Sequence, residues 1–290
     1  MVVTIPRMQN PGHGRVTTVV RQLAITADDF GASARVNAAV VRAAREGVLT
    51  GTSWMAGGAA ADEALALVGG LPRLALGVHL TCVMGRAVLP PRLIPDLVDH
   101  DGRFPRSPTR QGLRLAASRA SRVQLRDELR AQIERCLGAG CRPRHLDAHL
   151  DFHVHPAVFP VVAALAREYG VAAVRLPRDP LRPALAFDRR HATRKLTEAA
   201  IFALLCRRAI AVARSYGVRV ADRVYGHHQT GAVDEAYLLD VIARLPPGVS
   251  ELYCHPGAAD GQDDELAALL SPRVRAACDA GGIRRRHYDC

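Results

Sequence analysis

Lysine is almost missing from this 290-residue chain: Lys195 is the only one among 39 basic residues, which face 28 acidic ones for a formal net charge of +11. Positive charge is therefore carried by arginine, whose planar guanidinium stays ionised and pairs with carboxylate or phosphate. The excess admits an anionic partner, and arginines spread over solvated helix faces account for it as well. Aromatic residues make up only 4% of the chain, which leaves few platforms for base stacking. With no recognised nucleic-acid motif and dispersed basic residues, specific nucleic-acid binding is not expected. No C-x-x-C pair occurs among the seven cysteines (Cys82, Cys136, Cys141, Cys206, Cys254, Cys278, Cys290). Neither a disulfide framework nor a cysteine zinc site is indicated, and reduced thiols in a cytosolic protein are expected. Long apolar runs are also missing. The longest, near Ala199–Cys206, falls far short of the roughly 20 residues that span a bilayer. Residues 1–20 are polar and dotted with glycine and proline, without the apolar core of a signal peptide. They are expected to form a poorly ordered extension.

What is present is half apolar, 49% of residues, with mean hydropathy near zero, which excludes a disordered chain. Short β-branched runs alternate with helical patterns from Arg21 onward. Candidate strands are Gln22–Ala27, Leu49–Met55, Leu74–Thr81, Arg144–His149, Ala172–Leu176, Val218–Tyr225, Val249–Cys254 and Ile283–Tyr288. Between them, Val36, Ala39, Val40, Ala43 and Ala44 recur at helical spacing, with Ser33 as N-cap and Gly47 as terminator. Val123, Leu125, Leu129, Ile133 and Leu137 repeat the pattern over Ser121–Leu137. Such alternation predicts an α/β fold with parallel strands, and eight candidates favour a complete or distorted (β/α) barrel over an open doubly wound sheet. Length and pattern predict one domain over 21–290, with excursions at about 85–122 and 178–216. The first is rich in proline and arginine. The second sets arginines around the apolar run 199–206, as a membrane-surface helix or a core-packed helix would.

Four patches could carry chemistry. Asp28-Asp29 follows an apolar strand directly, and adjacent carboxylates repel unless a cation or proton intervenes; a turn in which Asp28 caps a helix and Asp29 faces water explains the pair equally well. His79 ends another strand, where a histidine is usually a hydrogen-bonded core residue. The stretch His145-Leu-Asp147-Ala-His149-Leu-Asp151-Phe-His153-Val-His155 holds six ionisable groups in eleven residues. That is too many for a buried structural strand without a metal or a polar cavity. Alternation would let His145, Asp147 and His149 share one face. His255 sits where a strand runs into Pro256-Gly257. Together these patches put Asp28, Asp29, His79, His149 and His255 at one end of a parallel fold, where such folds build their sites. Two histidines and a carboxylate suit a zinc-type ion that keeps positions open for water.

At this point the sequence resembles the YdjC-like carbohydrate deacetylases, and within them the hopanoid-biosynthesis-associated (HpnK-like) branch. The family-level stretches are Thr26–Gly31, Gly77–Leu80, His145–His149, Ala173–Arg178 and Cys254–Gly257. Resemblance to the branch rests on Val88–Val98, Asp101–Phe104 and Phe152–Pro156. The resemblance implies a barrel-like fold related to polysaccharide deacetylases and one divalent metal ion, Zn²⁺ or Mg²⁺. It further implies Asp29, His79 and His149 as ligands, Asp28 as general base and His255 as acid. Arg175 would lie in the pocket orienting Asp28 or the substrate, and His153 and His155 join it as substrate-binding candidates. The implied substrate is an N-acetylglucosaminyl hopanoid. The two excursions would then form a lipid-facing rim, in a cytoplasmic protein able to touch an anionic membrane surface. The chief rival is a deacetylase of soluble chitooligosaccharides. A two-metal phosphoester hydrolase is disfavoured, because no second carboxylate cluster is evident.

Overall fold

Eight parallel strands form one curled sheet in a computed structural model that describes residues 20–258 and 263–287. The strands are β1 (Arg21–Phe30), β2 (Gly51–Trp54), β3 (Ala75–Leu80), β4 (His145–Ala148), β5 (Ala173–Val174), β6 (Arg223–Tyr225), β7 (Gly248–Cys254) and β8 (Arg284–Arg285). Their order is β5-β4-β3-β2-β1-β7-β6, with β8 beside β1, so β1 is an interior strand paired with three others. Its residues Leu23, Ala24 and Ile25 are fully buried, as expected for a parallel strand covered on both faces. β7 runs along one edge of β1; β2 pairs with its second half and β8 with Gln22 and Leu23 on the first.

All eight expected strands are found, several of them shorter than the apolar runs suggested. The arrangement is the distorted form of the expected barrel. The sheet curls until β5 approaches the segment leading into β6, through an isolated parallel bridge between Ala173 and Arg219. β8 pairs beside β1 instead of closing the ring. Of the N-terminal extension expected over residues 1–20, all but Val20 lies outside the described residues, as does Tyr288 at the end of the last candidate strand.

The helix Ala34–Glu46 begins at Ser33, whose hydroxyl accepts from the Val36 N–H, and buries Val36, Ala39, Val40 and Ala43. The helix Arg119–Gly138 buries Leu125, Leu129 and Ile133, but Val123 is 55% exposed. Two residues before Leu125, Val123 projects to the far side of a helix that turns about 100° per residue. The cysteines among the described residues are free thiols, and no helix among those residues is long and apolar enough to cross a membrane.

The first excursion folds onto this frame through its own apolar residues: Ile94, Leu97 and Leu115 are fully buried. The carboxylate of Glu128 anchors it by accepting from the Val88 and Leu89 N–H groups at 2.8 and 2.9 Å. The second excursion becomes the helices Leu181–Phe187 and Ala192–Tyr216.

Candidate functional site

The adjacent carboxylates at the end of β1 pose a geometric problem, because neighbours on a regular strand face opposite ways. A bulge solves it. Ala27 pairs with Thr52 and Phe30 with Trp54, so Asp28 and Asp29 together oppose Ser53. Asp29 takes left-handed backbone angles, φ 63°, which aspartate tolerates better than most residues. The kink re-aims one side chain: Asp28 lines the cavity at the C-terminal end of the sheet, and the Asp29 carboxylate reaches His79 and His149 there.

Beneath them runs a buried polar column. His79 Nδ1 lies 2.9 Å from Asp147 Oδ1, so its Nε2 faces Asp29 Oδ1 at 3.3 Å. The Ser53 hydroxyl donates to Asp147 Oδ2 at 2.6 Å and lies 2.9 Å from His145 Nε2. Gly77 is required here, since any Cβ would strike the His145 ring. Burial drives His79 toward its neutral form, but Asp147 and Asp28 outweigh it and lift the imidazole to about 9.

Arg175, directly after β5, is fully buried and collects three carboxylates. Its two terminal nitrogens grip Asp28 at 2.6 and 2.8 Å. Glu251 on β7 accepts from Nε and Nη2 at 3.1 and 2.9 Å, and Asp147 Oδ2 lies 2.9 Å from Nη2. The guanidinium stacks 4.5 Å from the Tyr253 ring centroid. Burial pushes the Asp28 carboxyl up; Arg175 opposes the shift and Asp147 adds to it. For Asp29 burial is outweighed by the hydrogen bond with His149 and by the charges of His79, His149 and His255, which hold it well below the usual range.

After β4 the chain turns through two consecutive left-handed residues, Leu150 and Asp151, with φ 58° and 52°. Such strain gathers at functional sites. Here it leaves the His149 Nδ1 3.3 Å from Asp29 Oδ1 and turns Asp151 inward. Asp28, His79, His149 and His255 then line one cavity of about 260 Å³.

His145, Asp147 and His149 do not share one environment, because β4 ends at Ala148 and His149 opens the turn. The three residues named as substrate-binding candidates, Arg175, His153 and His155, are held by contacts within the protein. Arg175 has no exposed surface and its donors are committed to carboxylates, an arrangement that orients Asp28. His153 is buried with its Nε2 2.7 Å from the Arg175 carbonyl. His155 stacks on Phe152, away from the cavity. Sequence reading also overlooked Glu251, Tyr253 and His227, and it gave Asp151, named within the histidine-rich patch, no role of its own. His227 follows β6 as His79 and His255 stand at the ends of their strands, so the same rule would have found it. The others have no local signature.

The donor set at Asp29 fits a divalent cation. A tetrahedral site with bonds of about 2.0–2.1 Å has ligand-to-ligand edges of about 3.4 Å. Asp29 Oδ1 stands 3.3 Å from His79 Nε2 and 3.3 Å from His149 Nδ1. With Nδ1 of His79 committed to Asp147, Nε2 is the nitrogen left to face Asp29, where a bound divalent ion would take the place of the proton between them.

Comparison with known proteins decides the kinship. The YdjC-like protein model matches residues 22–280. The chain belongs to the YdjC-like family. A carbohydrate deacetylase of Geobacillus stearothermophilus is 40% identical over 280 residues, covering 92% of this YdjC-like chain and 97% of the relative. One of Brevibacillus brevis is 39% identical over 156 residues, or 54% and 59% of the two chains. Among solved structures, an Enterococcus faecalis V583 protein named for cellobiose-phosphate cleavage superposes with a TM-score of 0.72 at 24% identity. It covers 93% of this chain and 98% of its own, which establishes the shared fold.

Proposed function

We propose that this YdjC-like chain is a metal-dependent carbohydrate N-deacetylase that removes the acetyl group from an N-acetylglucosaminyl lipid of the hopanoid type. One observation carries the reading: Asp29, His79 and His149 bring their ligand atoms within 4.8 Å of one another, and the two histidines line the cavity together with Asp28 and His255. The names of the deacetylase relatives support the reaction class. Asp29, His79 and His149 would hold the ion. When bound, a divalent ion supplies Lewis acidity, making water acidic near neutral pH and polarising the amide carbonyl.

The chain's own groups do the rest. Asp28 takes the proton from the attacking water while Arg175 fixes both of its oxygens. The water oxygen bonds to the carbonyl carbon, the C–N bond breaks, and His255 gives a proton to the departing amine. Acetate and the free amino sugar result.

The lipid assignment draws on the second excursion. An apolar groove of about 320 Å³, lined by Phe202, Ala203, Cys206 and Ile210, shares Phe202 and His227 with the site cavity. No residue of the first excursion lines either cavity, so the proposed rim is the helix Ala192–Tyr216 alone.

The test is acetate release from N-acetylglucosaminyl substrates with and without a lipid tail, alongside metal analysis of the purified protein. Asp28→Asn should retain the metal and lose roughly 10²–10⁴-fold in turnover. A metal-free Asp28→Asn protein would mean that base and ligand are interchanged. Preference for soluble chitooligosaccharides would replace the lipid assignment and keep the chemistry.

A further inference from the structure

A second group of metal-competent side chains stands beside the same cavity and the neighbouring groove. Glu198, from the helix Ala192–Tyr216, and His227 and His228, from the turn after β6, bring one ligand atom each to within 4.8 Å of one another. We propose that these three residues form a second divalent-cation site, taking a zinc-type ion. The proposal stands independently of the deacetylase reading.

The arrangement repeats the logic of His79. His227 Nδ1 lies 3.1 Å from Asp151 Oδ2, which also accepts from the Tyr253 hydroxyl at 3.1 Å. The other nitrogen, Nε2, is buried, makes no hydrogen bond, and faces Glu198 Oε2 at 4.0 Å. His228 is only 3% exposed, and its Nδ1 is likewise buried without a hydrogen-bond partner. Buried imidazole nitrogens without partners are costly, and two of them beside a carboxylate are what an ion would satisfy. The neighbouring cations do not fill this role. Lys195 Nζ is committed to Asp188 and Gln229, and Arg194 reaches Glu198 only at 3.9 Å, on its other oxygen.

Two imidazoles and one carboxylate select a borderline ion such as Zn²⁺ over Mg²⁺ or Ca²⁺, which prefer six or more oxygen ligands. The observed spacing exceeds the tetrahedral edge of about 3.4 Å, and Glu198, one-third exposed on its helix, has room to close it. His227 lines both cavities, Glu198 the polar one and His228 the apolar one. The ion would therefore clip the helix to the sheet at the partition between sugar site and groove.

Equilibrium dialysis of metal-free protein against Zn²⁺, with excess Mg²⁺ present, counts the sites. The wild type should hold two equivalents; Glu198→Gln and His228→Gln should each hold one. Asp29→Asn should also hold one, and its combination with His228→Gln none. Co²⁺ loaded into Asp29→Asn should give a visible spectrum lacking thiolate charge transfer, and circular dichroism should show every variant folded. Zn²⁺ should raise the melting temperature of Asp29→Asn but not of the combined variant. If Asp29→Asn binds no ion, or His228→Gln loses none, the second site does not exist. A single wild-type equivalent that survives Asp29→Asn and is lost in His228→Gln would uphold this site and remove the first.

Discussion

Arg175 sits where three carboxylates compete for one guanidinium, and each meets it differently. Asp28 takes two parallel bonds and still borders the cavity, whereas Asp147 and Glu251 are wholly enclosed. Asp147 works in two directions, accepting from Ser53 and orienting His79. Its burial is outweighed by Arg175 and His79, which keep it ionised. Carboxylates that orient a ligating histidine typically account for 10–100-fold in metal affinity. Asp147→Asn should therefore weaken metal binding by about that factor while leaving Asp28 gripped by Arg175. Titrating metal into the apo variant measures the loss, and unchanged affinity would show that His79 needs no such partner.

The bulge in β1 and the left-handed turn after β4 are each brief departures from a regular element, and each brings side chains to the site that a regular strand would separate. The first excursion shows a different device, a single buried carboxylate on the helix Arg119–Gly138 holding a proline-rich loop. Burial pushes the Glu128 carboxyl above its ordinary 4.5, against the bonds from Val88, Gln132 and Leu89. A carboxyl raised in the folded state gives its full contribution below the unfolded value, and that contribution is lost as pH rises through the folded value. The stability advantage of the wild type over Glu128→Gln should thus shrink between pH 4 and pH 8. Urea midpoints at the two pH values report it, and an advantage that grows with pH would reverse the assignment. On the helix Ala192–Tyr216, Ile201 and Leu204 are 51% and 54% exposed, while Phe202 and Leu205 pack against the core. Replacing Ile201 and Leu204 together by serine should leave the melting temperature nearly unchanged. It should lower kcat/KM for the lipid-linked sugar and spare a soluble analogue; equal losses on both would reduce the helix to ordinary packing.

The curled sheet gathers the proposed ligands from three strand ends, with Asp29 and His149 120 residues apart, so the proposed metal binding would be linked to folding across the molecule. Free metal at 100 times its dissociation constant should add about 2.7 kcal/mol to stability. The corresponding rise in melting temperature should vanish with chelator, and the share belonging to the first site should vanish in Asp29→Asn. Strand–helix alternation, the interior apolar strand and the carboxylates and histidines at strand ends could all be read directly from the sequence, because burial periodicity and end-of-strand chemistry are local properties. His153 and His155 follow β4 on helical turns, where His153 meets the Arg175 carbonyl and His155 stacks on Phe152. What the tertiary structure alone decided is which groups meet: Glu251 beside Arg175, Asp151 beside His227, Glu198 across from both, and a sheet that curls without closing. These pairings depend on curvature and on how a helix far along the chain packs, and no stretch of sequence encodes a distance between two strands that only the folded sheet brings together.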